Sequence, residues 1–305
     1  MAKDLIVGVV DGYDWDKIKY WANSIKKSGF DGHKALVVYS MDVPTATKLT
    51  EEGFILIGVN PYDENVGFTA VNNGGNIMVD RFFFIHNFLK MLQDPMEVDR
   101  VIITDVRDVV FQNNPTDWLN DHFLPQYNIV VGSENLTYEN EPWGRNNLQK
   151  SFGEYFYENL KDHPINCAGV IAGTFEDMSD LCLTIWLVCR GLNPHVQGGG
   201  GPDQAAMNIL LDTVVHKYTT FFTDPTNGWV THAGTSIDAI RAGSGGIGEA
   251  YRQNPNMELP FLTNIEYSVG VEDGKIRAND KELTILHQWD RVPAWKALVE
   301  EKYGD

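Results

Sequence analysis

Cysteine is scarce: the 305-residue chain has three, Cys167, Cys182 and Cys189. Their number is odd, and the last two lie in an apolar stretch that reads as helix, which argues against a disulfide framework and for a reducing compartment. Long hydrophobic runs are missing as well. No segment offers about 18 uninterrupted apolar residues, and the apolar run near the N-terminus meets Gly12 and several acids too soon for a signal peptide. A soluble, cytoplasmic protein without membrane insertion is therefore expected, in which the sequon Asn135-Leu136-Thr137 stays unmodified.

Positive charge is also in short supply. Lys and Arg total 24 against 42 Asp and Glu, for a formal net charge of -18. Such a chain repels phosphate backbones and anionic lipid surfaces, and no basic stripe overrides this locally, so nucleic acid is a poor partner. A small anionic substrate stays compatible, because a bound divalent cation reverses the local field. The familiar nucleotide fingerprints are absent too. After the first strand, "VVDGYDW" has no GxGxxG, and the glycine run at 198–201 continues into Pro202 and Asp203 rather than Lys and Ser or Thr. Dinucleotide and P-loop enzymes are excluded on that ground.

What is present is an alternation of apolar strands and helices. "DLIVGVV", "KALVVYS" and "FILIGVN" read as strands separated by the helices "WDKIKYWANSIKKSG" and "PTATKLTEEG". "NIMVDRFFFIHNFLKML" is apolar nearly all round and reads as a buried helix before a fourth strand. "YNIVVGSEN" and "CAGVIAG" add strands, with a polar and aromatic loop around "EPWGRNN" between them, and "FEDMSDLCLTIWLVCRGL" and "DQAAMNILLDTVV" add helices. The fold class expected is α/β, a mostly parallel sheet flanked by helices. No repeat, linker or charge run marks a boundary, so residues 1–305 read as one domain.

In an open parallel sheet ligands sit beyond the carboxyl ends of the strands. The fourth strand ends there as "RVIITDVRDVVFQNNP", with Asp105 and Asp108 around Arg107. Two carboxylates at a strand end suit a hard divalent cation shared with substrate phosphates. The plainer alternative is a turn in which Asp105 and Asp108 are turn formers and Arg107 an ion-pair partner.

Four segments together resemble the nucleotide-sugar-dependent glycosyltransferases of the GT-A fold, whose DxD motif holds a divalent metal against the donor diphosphate. "IITDVRDVVFQ" is similar to that motif, with two residues between the acids where the family has one. "NCAGVIAG" resembles the Asn-x-Gly strand beside the donor sugar, and "GGGGPDQAAMN" the Asp-Gln helix start that faces the reacting sugar. "LHQWDRVPAW" is similar to the segment whose histidine completes the metal site.

The resemblance implies a Rossmann-like, mostly parallel sheet, with a nucleotide-binding half over about residues 1–112 and an acceptor half over 113–305. It implies a Mn2+ (or Mg2+) cofactor held by Asp105, Asp108 and His287, with His232 as the rival third ligand. Arg81 and Arg291 are placed at the diphosphate. Val9, Asp11 and Tyr13 fall where the base and ribose are held, and Asn166, Gly169 and Gln204 beside the donor sugar. A carboxylate must take the acceptor hydroxyl's proton, and Asp203 is the first choice with Glu134 second; in a retaining reaction Asp203 would instead orient the donor sugar. Tyr138, Trp143 and Trp289 are suited to sugar faces.

The expected activity is transfer of a sugar, hexosyl or pentosyl, from a UDP-sugar, or failing that a GDP-sugar, to a carbohydrate or glycoconjugate hydroxyl. Two alternatives stand beside it: a catalytically silent carbohydrate-binding or scaffold protein of this fold, and a sugar nucleotidyltransferase, for which the basic glycine-rich loop after strand one is missing. An aspartyl-phosphate phosphatase would need its acids one residue closer and on the first strand.

Overall fold

Leu5, Ile6, Val7 and Val10 are all buried, so the first strand faces protein on both sides, as a strand inside a parallel sheet must. The computed structural model describes residues 2–70, 76–92, 98–192, 200–257 and 268–305. Its first half alternates β1 (Lys3–Asp11), α1 (Trp15–Lys27), β2 (His33–Ser40), α2 (Val43–Glu51), β3 (Ile55–Gly58), α3 (Ile77–Met91) and β4 (Val98–Thr104). There follow β5 (Val109–Phe111), α4 (Pro115–His122), β6 (Ile129–Thr137), α5 (Pro142–Phe152), α6 (Glu154–Leu160), β7 (Pro164–Thr174), α7 (Phe175–Cys189), α8 (Asp203–Leu211) and β8 (Thr220–Thr223). The chain continues as β9 (Val230–His232), α9 (Ile237–Arg241), α10 (Gly245–Gln253), β10 (Val269–Glu272), β11 (Lys275–Ala278), β12 (Lys281–Glu282), β13 (Ile285–His287) and α11 (Pro293–Tyr303).

A seven-stranded sheet runs β3-β2-β1-β4-β7-β6-β8. All its pairs are parallel except those β7 makes with β4 and β6. On one face Leu5, Val7 and Ile103 pack against Phe82, Ile85 and Phe88 of α3 and Leu181, Cys182 and Ile185 of α7. On the other, Ile6, Val10 and Ile102 pack against Ile18, Trp21 and Ile25 of α1. The expected single α/β domain of a mostly parallel, helix-flanked sheet is what forms, and no helix among the described residues is long and apolar enough to cross a membrane.

Two expectations need correction. The "EPWGRNN" stretch is not a loop but the start of α5: Glu141 caps it by accepting from the Trp143 and Gly144 N–H groups, and Pro142 occupies the first turn. Gly144, Asn146 and Asn147 have low helix propensity, which hid it. Helix α8 also stops at Leu211 rather than running through "DTVV".

Two irregularities shape the region that matters. Between the Val131–Ile171 and Ser133–Asn166 pairs β7 uses more residues than β6, so Cys167, Ala168 and Gly169 leave that ladder. Between the Ser133–Asn166 and Thr137–Pro164 pairs the excess is on β6, where Asn135 adopts φ 62°. Such bulges re-aim side chains and cluster beside functional sites.

Candidate active site

The end of β4 is fixed from behind, where the Trp21 indole donates to Thr104 Oγ1 at 2.9 Å. The next residue, Asp105, donates its backbone N–H to the bulged Gly169 carbonyl at 2.9 Å, which swings the chain into the turn carrying both acids. Arg107 Nη2 donates to Asp108 Oδ2 at 3.0 Å, so the arginine braces the turn as one sequence reading has it. A small sheet in the order β5-β13-β9 then brings His287 in register with Val109 on one side and His232 on the other. As a result His287 Nε2 lies 3.5 Å from Asp105 Oδ2 and 4.0 Å from Asp108 Oδ1.

Arg81 reaches the same place from α3. Its Nη1 donates to Asp105 Oδ1 at 2.5 Å and its Nη2 to Asp203 Oδ2 at 2.8 Å, while the side chains of Arg81 and Asp203 are 9% and 7% exposed. Burial would raise the Asp105 pKa, but the Arg81 charge and the His287 hydrogen bond hold it well below the usual carboxylate range. Asp203 goes the other way: burial pushes its carboxyl up more than Arg81 pulls it down. It is also the first residue of α8, behind Pro202, and its side chain does not cap that helix.

Asp105, Asp108 and His287 can each offer a ligand atom within 4.8 Å of the others. Two carboxylate oxygens and an imidazole nitrogen form a mixed donor set that a divalent cation can use. His232 meets His287 rather than the acids, ring nitrogen to ring nitrogen (Nδ1 to Nδ1) at 2.9 Å, and it forms with Cys167 and the shared His287 a second, buried and softer group. Burial, together with the neighbouring His287, lowers the His232 pKa. Burial also presses on His287, yet its hydrogen bond to Asp105 and the Asp108 charge leave its pKa raised.

The imidazole of His287 has its place because position 169 carries no side chain. A Cβ there would sit 2.3 Å from His287 Cε1. Gly169→Ala is therefore expected to displace the ring and cost about 1–3 kcal/mol as an overpacked site; an unchanged unfolding midpoint in denaturant would show that the ring is not confined.

Asp105, Cys167, Gly169, Asp203 and His287 line a cavity of about 880 Å³ together with Arg81, Glu134, Trp143, Gln204, Gln288 and Arg291, whereas Asp108 and His232 do not line it. Glu134 is held by Gln204, whose Nε2 donates to Oε1 at 3.0 Å while Gln204 Oε1 accepts from the Ala168 N–H at 3.2 Å. Burial and the nearby Glu141 push the Glu134 carboxyl up to about 7, against the pull of Cys167 and Gln204. Gly200 and Gly201, from the glycine run, also line the cavity, whereas Gln197, Gly198 and Gly199 fall outside the described residues.

Not every residue singled out from sequence gathers here. Val9, Asp11 and Tyr13 lie at the end of β1 and do not line the cavity, although Tyr13 is close enough to Arg107, Asp105 and Asp108 to feel their charges. Asn166 bonds Asn208 and faces a different cavity. Tyr138 and Trp289 are buried at 1% and 4% exposure, so of the three aromatics suggested for sugar faces Trp143 alone lines the cavity. Sequence reasoning passed over Cys167 and Gln288. Cys167 carried no local signal, while Gln288 comes in on the left-handed turn after β13, with φ 58°.

No protein-family model matches the chain, and no curated protein sequence matches it. Solved structures do. The chain shares its fold with the bifunctional glycosyltransferase WbbM. The match to the apo structure of WbbM covers 100% of this chain and 50% of that one, with a TM-score of 0.57 at 14% identity. The glycosyltransferase GlyE of Streptococcus pneumoniae TIGR4 also matches, over 100% of this chain and 64% of that one, with a TM-score of 0.49 at 12% identity. The chain thus spans about half the length of WbbM, and the likeness at this identity is one of fold.

Proposed function

We propose that the chain is a metal-dependent glycosyltransferase of GT-A type, moving a sugar from a UDP-sugar, or failing that a GDP-sugar, to a hydroxyl of a carbohydrate or glycoconjugate acceptor. The observation that carries this reading is the convergence of Asp105, Asp108 and His287 at a strand end, with Asp105 and His287 lining one cavity together with Glu134 and Asp203. The fold shared with WbbM supports it. Asp105, Asp108 and His287 would hold Mn2+ or Mg2+. When bound, the cation neutralises charge gathering on the leaving diphosphate.

The chain's own residues supply the rest. Asp105 gives Oδ1 to Arg81 and keeps Oδ2 on the His287 side, so its two oxygens serve different partners. Both terminal nitrogens of Arg81 are committed to acids, so its task is to hold Asp105 and Asp203 in place, and Arg291 on the cavity wall takes the diphosphate contact. The acceptor oxygen bonds to the anomeric carbon as the bond from that carbon to the phosphate oxygen breaks, and the diphosphate leaves with the electron pair. The acceptor proton passes to Glu134, whose pKa near 7 suits a general base at neutral pH. Asp203 and Gln204 hold donor-sugar hydroxyls. The β1 end, with Val9, Asp11 and Tyr13, receives the base and ribose within the 1–112 half.

Thermal unfolding with UDP, GDP, ADP and CMP, each with Mn2+ or with EDTA, tests this. A nucleoside diphosphate at about 100 times its Kd should add about 2.7 kcal/mol, and only when metal is present. Slow hydrolysis of the matching nucleotide-sugar should follow. If no nucleotide raises the unfolding temperature under either condition, the reading fails.

A further inference from the structure

Successive side chains of a strand point to opposite faces, and at β6 and β7 both faces open into cavities. Glu134 and Cys167 line the cavity described above. Their neighbours Ser133, Asn135 and Asn166 line a second one, of about 830 Å³, which shares no lining residue with the first. Its other walls include Thr137, Phe222 on the edge strand β8, Asp224 and Thr226 of the following turn, and Asn279. The volume lies in the range of small-molecule sites.

The wall chemistry narrows the occupant. Phe222 is 43% exposed, an aromatic ring left open at a cavity where most of the chain's aromatics are packed away. Around it stand hydroxyls, amides and carboxylates, which a wholly apolar ligand would leave unpaired at a cost. An anionic ligand fares no better. Asp212 and Asp224 both line the cavity, and Lys217 is already spent on Asp212 at 2.8 Å. What remains is a polar molecule without negative charge, and a neutral one with an apolar face and many hydroxyls would pair with the exposed ring and the surrounding hydroxyls and amides.

Asn135 adds an independent sign. It sits at the β6 bulge with φ 62°, a left-handed conformation that a non-glycine residue adopts at a cost, and its N–H is tied to Ser133 Oγ at 2.9 Å. The bulge presents Asn135 to the cavity rather than continuing the ladder with β7.

We propose that this cavity is a second carbohydrate site, holding a neutral oligosaccharide segment apart from the place of sugar transfer, with Phe222 against a sugar face and Asn135 hydrogen-bonded to hydroxyls. It does not depend on the transferase reading, since a silent carbohydrate-binding protein could use it equally.

Saturation-transfer NMR and calorimetry on the full chain with maltotriose, cellotriose, mannotriose and chitotriose test it, each run with saturating UDP and Mn2+. At least one trisaccharide should bind with the nucleotide present. Phe222→Ala, a change at an exposed position, and Asn135→Gly, which keeps the left-handed backbone comfortable, should each weaken binding at least tenfold, whereas Asp203→Asn should leave it within twofold. Absence of binding at millimolar trisaccharide, displacement by UDP and Mn2+, or equal binding by the Phe222→Ala protein would each overturn the proposal. If trisaccharide binding needs Phe222 while no nucleotide stabilises the protein, the second site stands and the transferase reading falls; the reverse pattern separates them the other way.

Discussion

Replacing Arg81 with methionine is expected to cost about 3 kcal/mol of stability, the lower end of what removing one member of a buried ion pair costs. Arg81 and Asp203 are both nearly inaccessible, and the arginine is the cation bonded to both Asp105 and Asp203. Without it two carboxylates are left beside each other, and Asp203 has little exposed surface through which water could replace the arginine. Asp105 is 34% exposed and can recover some hydration, which is why the lower end of the range applies. The decisive comparison is with the double variant Arg81→Met/Asp203→Asn, in which the more deeply buried of the two stranded charges is gone. Urea unfolding of the double variant should return at least half of the loss, because most of the penalty is an uncompensated buried charge rather than a lost bond. Equal midpoints for the single and double variants would show that the penalty is steric and that the clamp is not electrostatic. Transfer activity should be lost in both, since Asp105 and Asp203 are no longer held to one geometry.

That clamp also marks where sequence reading stops. Arg81 and Asp203 are separated by 122 positions, and nothing in either neighbourhood names the other. An arginine on an apolar helix and an aspartate at a helix start each have ordinary uses, and only the packing of α3 and α8 beside β4 makes them partners. The place of Asp105 and Asp108 was legible for a different reason: a parallel sheet presents its strand ends at the ligand side, and periodicity put both acids at such an end. His287 was suggested by the resemblance alone, and the structure brings its imidazole within 4.8 Å of both carboxylates.

The sheet itself was legible because strands buried on both faces must be almost wholly apolar, and "LIVGVV" and "ALVVYS" are. What hid was backbone irregularity. The bulges that free Cys167 and Gly169 from the ladder and put Asn135 at positive φ depend on how β6 and β7 register, which no single strand encodes. The same bulges decide which side of the sheet each residue serves, which is why Asn166 and Gly169, read as one motif, face different surroundings. Helix α5 was missed because its cap, Glu141, is not among the commonest capping residues and its first turns are poor in helix formers.

Glu134→Gln is expected to lower the transfer rate by about 10²–10⁴, the usual contribution of a positioned acid or base, while leaving nucleotide-dependent stabilisation intact. Glutamine can keep the hydrogen bond from Gln204 Nε2 through its carbonyl oxygen, so the position is preserved and the proton-accepting ability is removed. In the wild type the rate should rise with pH through about 7 as Glu134 ionises, and this limb should vanish in the variant. The same group leaves a mark on folding. Its carboxyl titrates near 4.5 when unfolded and near 7 when buried beside Glu141, so the folded state holds a proton that the unfolded state has released. Stability must then fall as pH rises between those values and level off above, by roughly 3 kcal/mol at most. The Gln variant, with nothing to ionise, should lose less stability over this window and be the more stable protein at pH 8. A variant with wild-type rate and an unchanged pH–stability curve would remove Glu134 from the chemistry and return the base to Asp203. A lost rate with an unchanged curve would instead mean that Glu134 is ionised throughout and holds a hydroxyl rather than a proton.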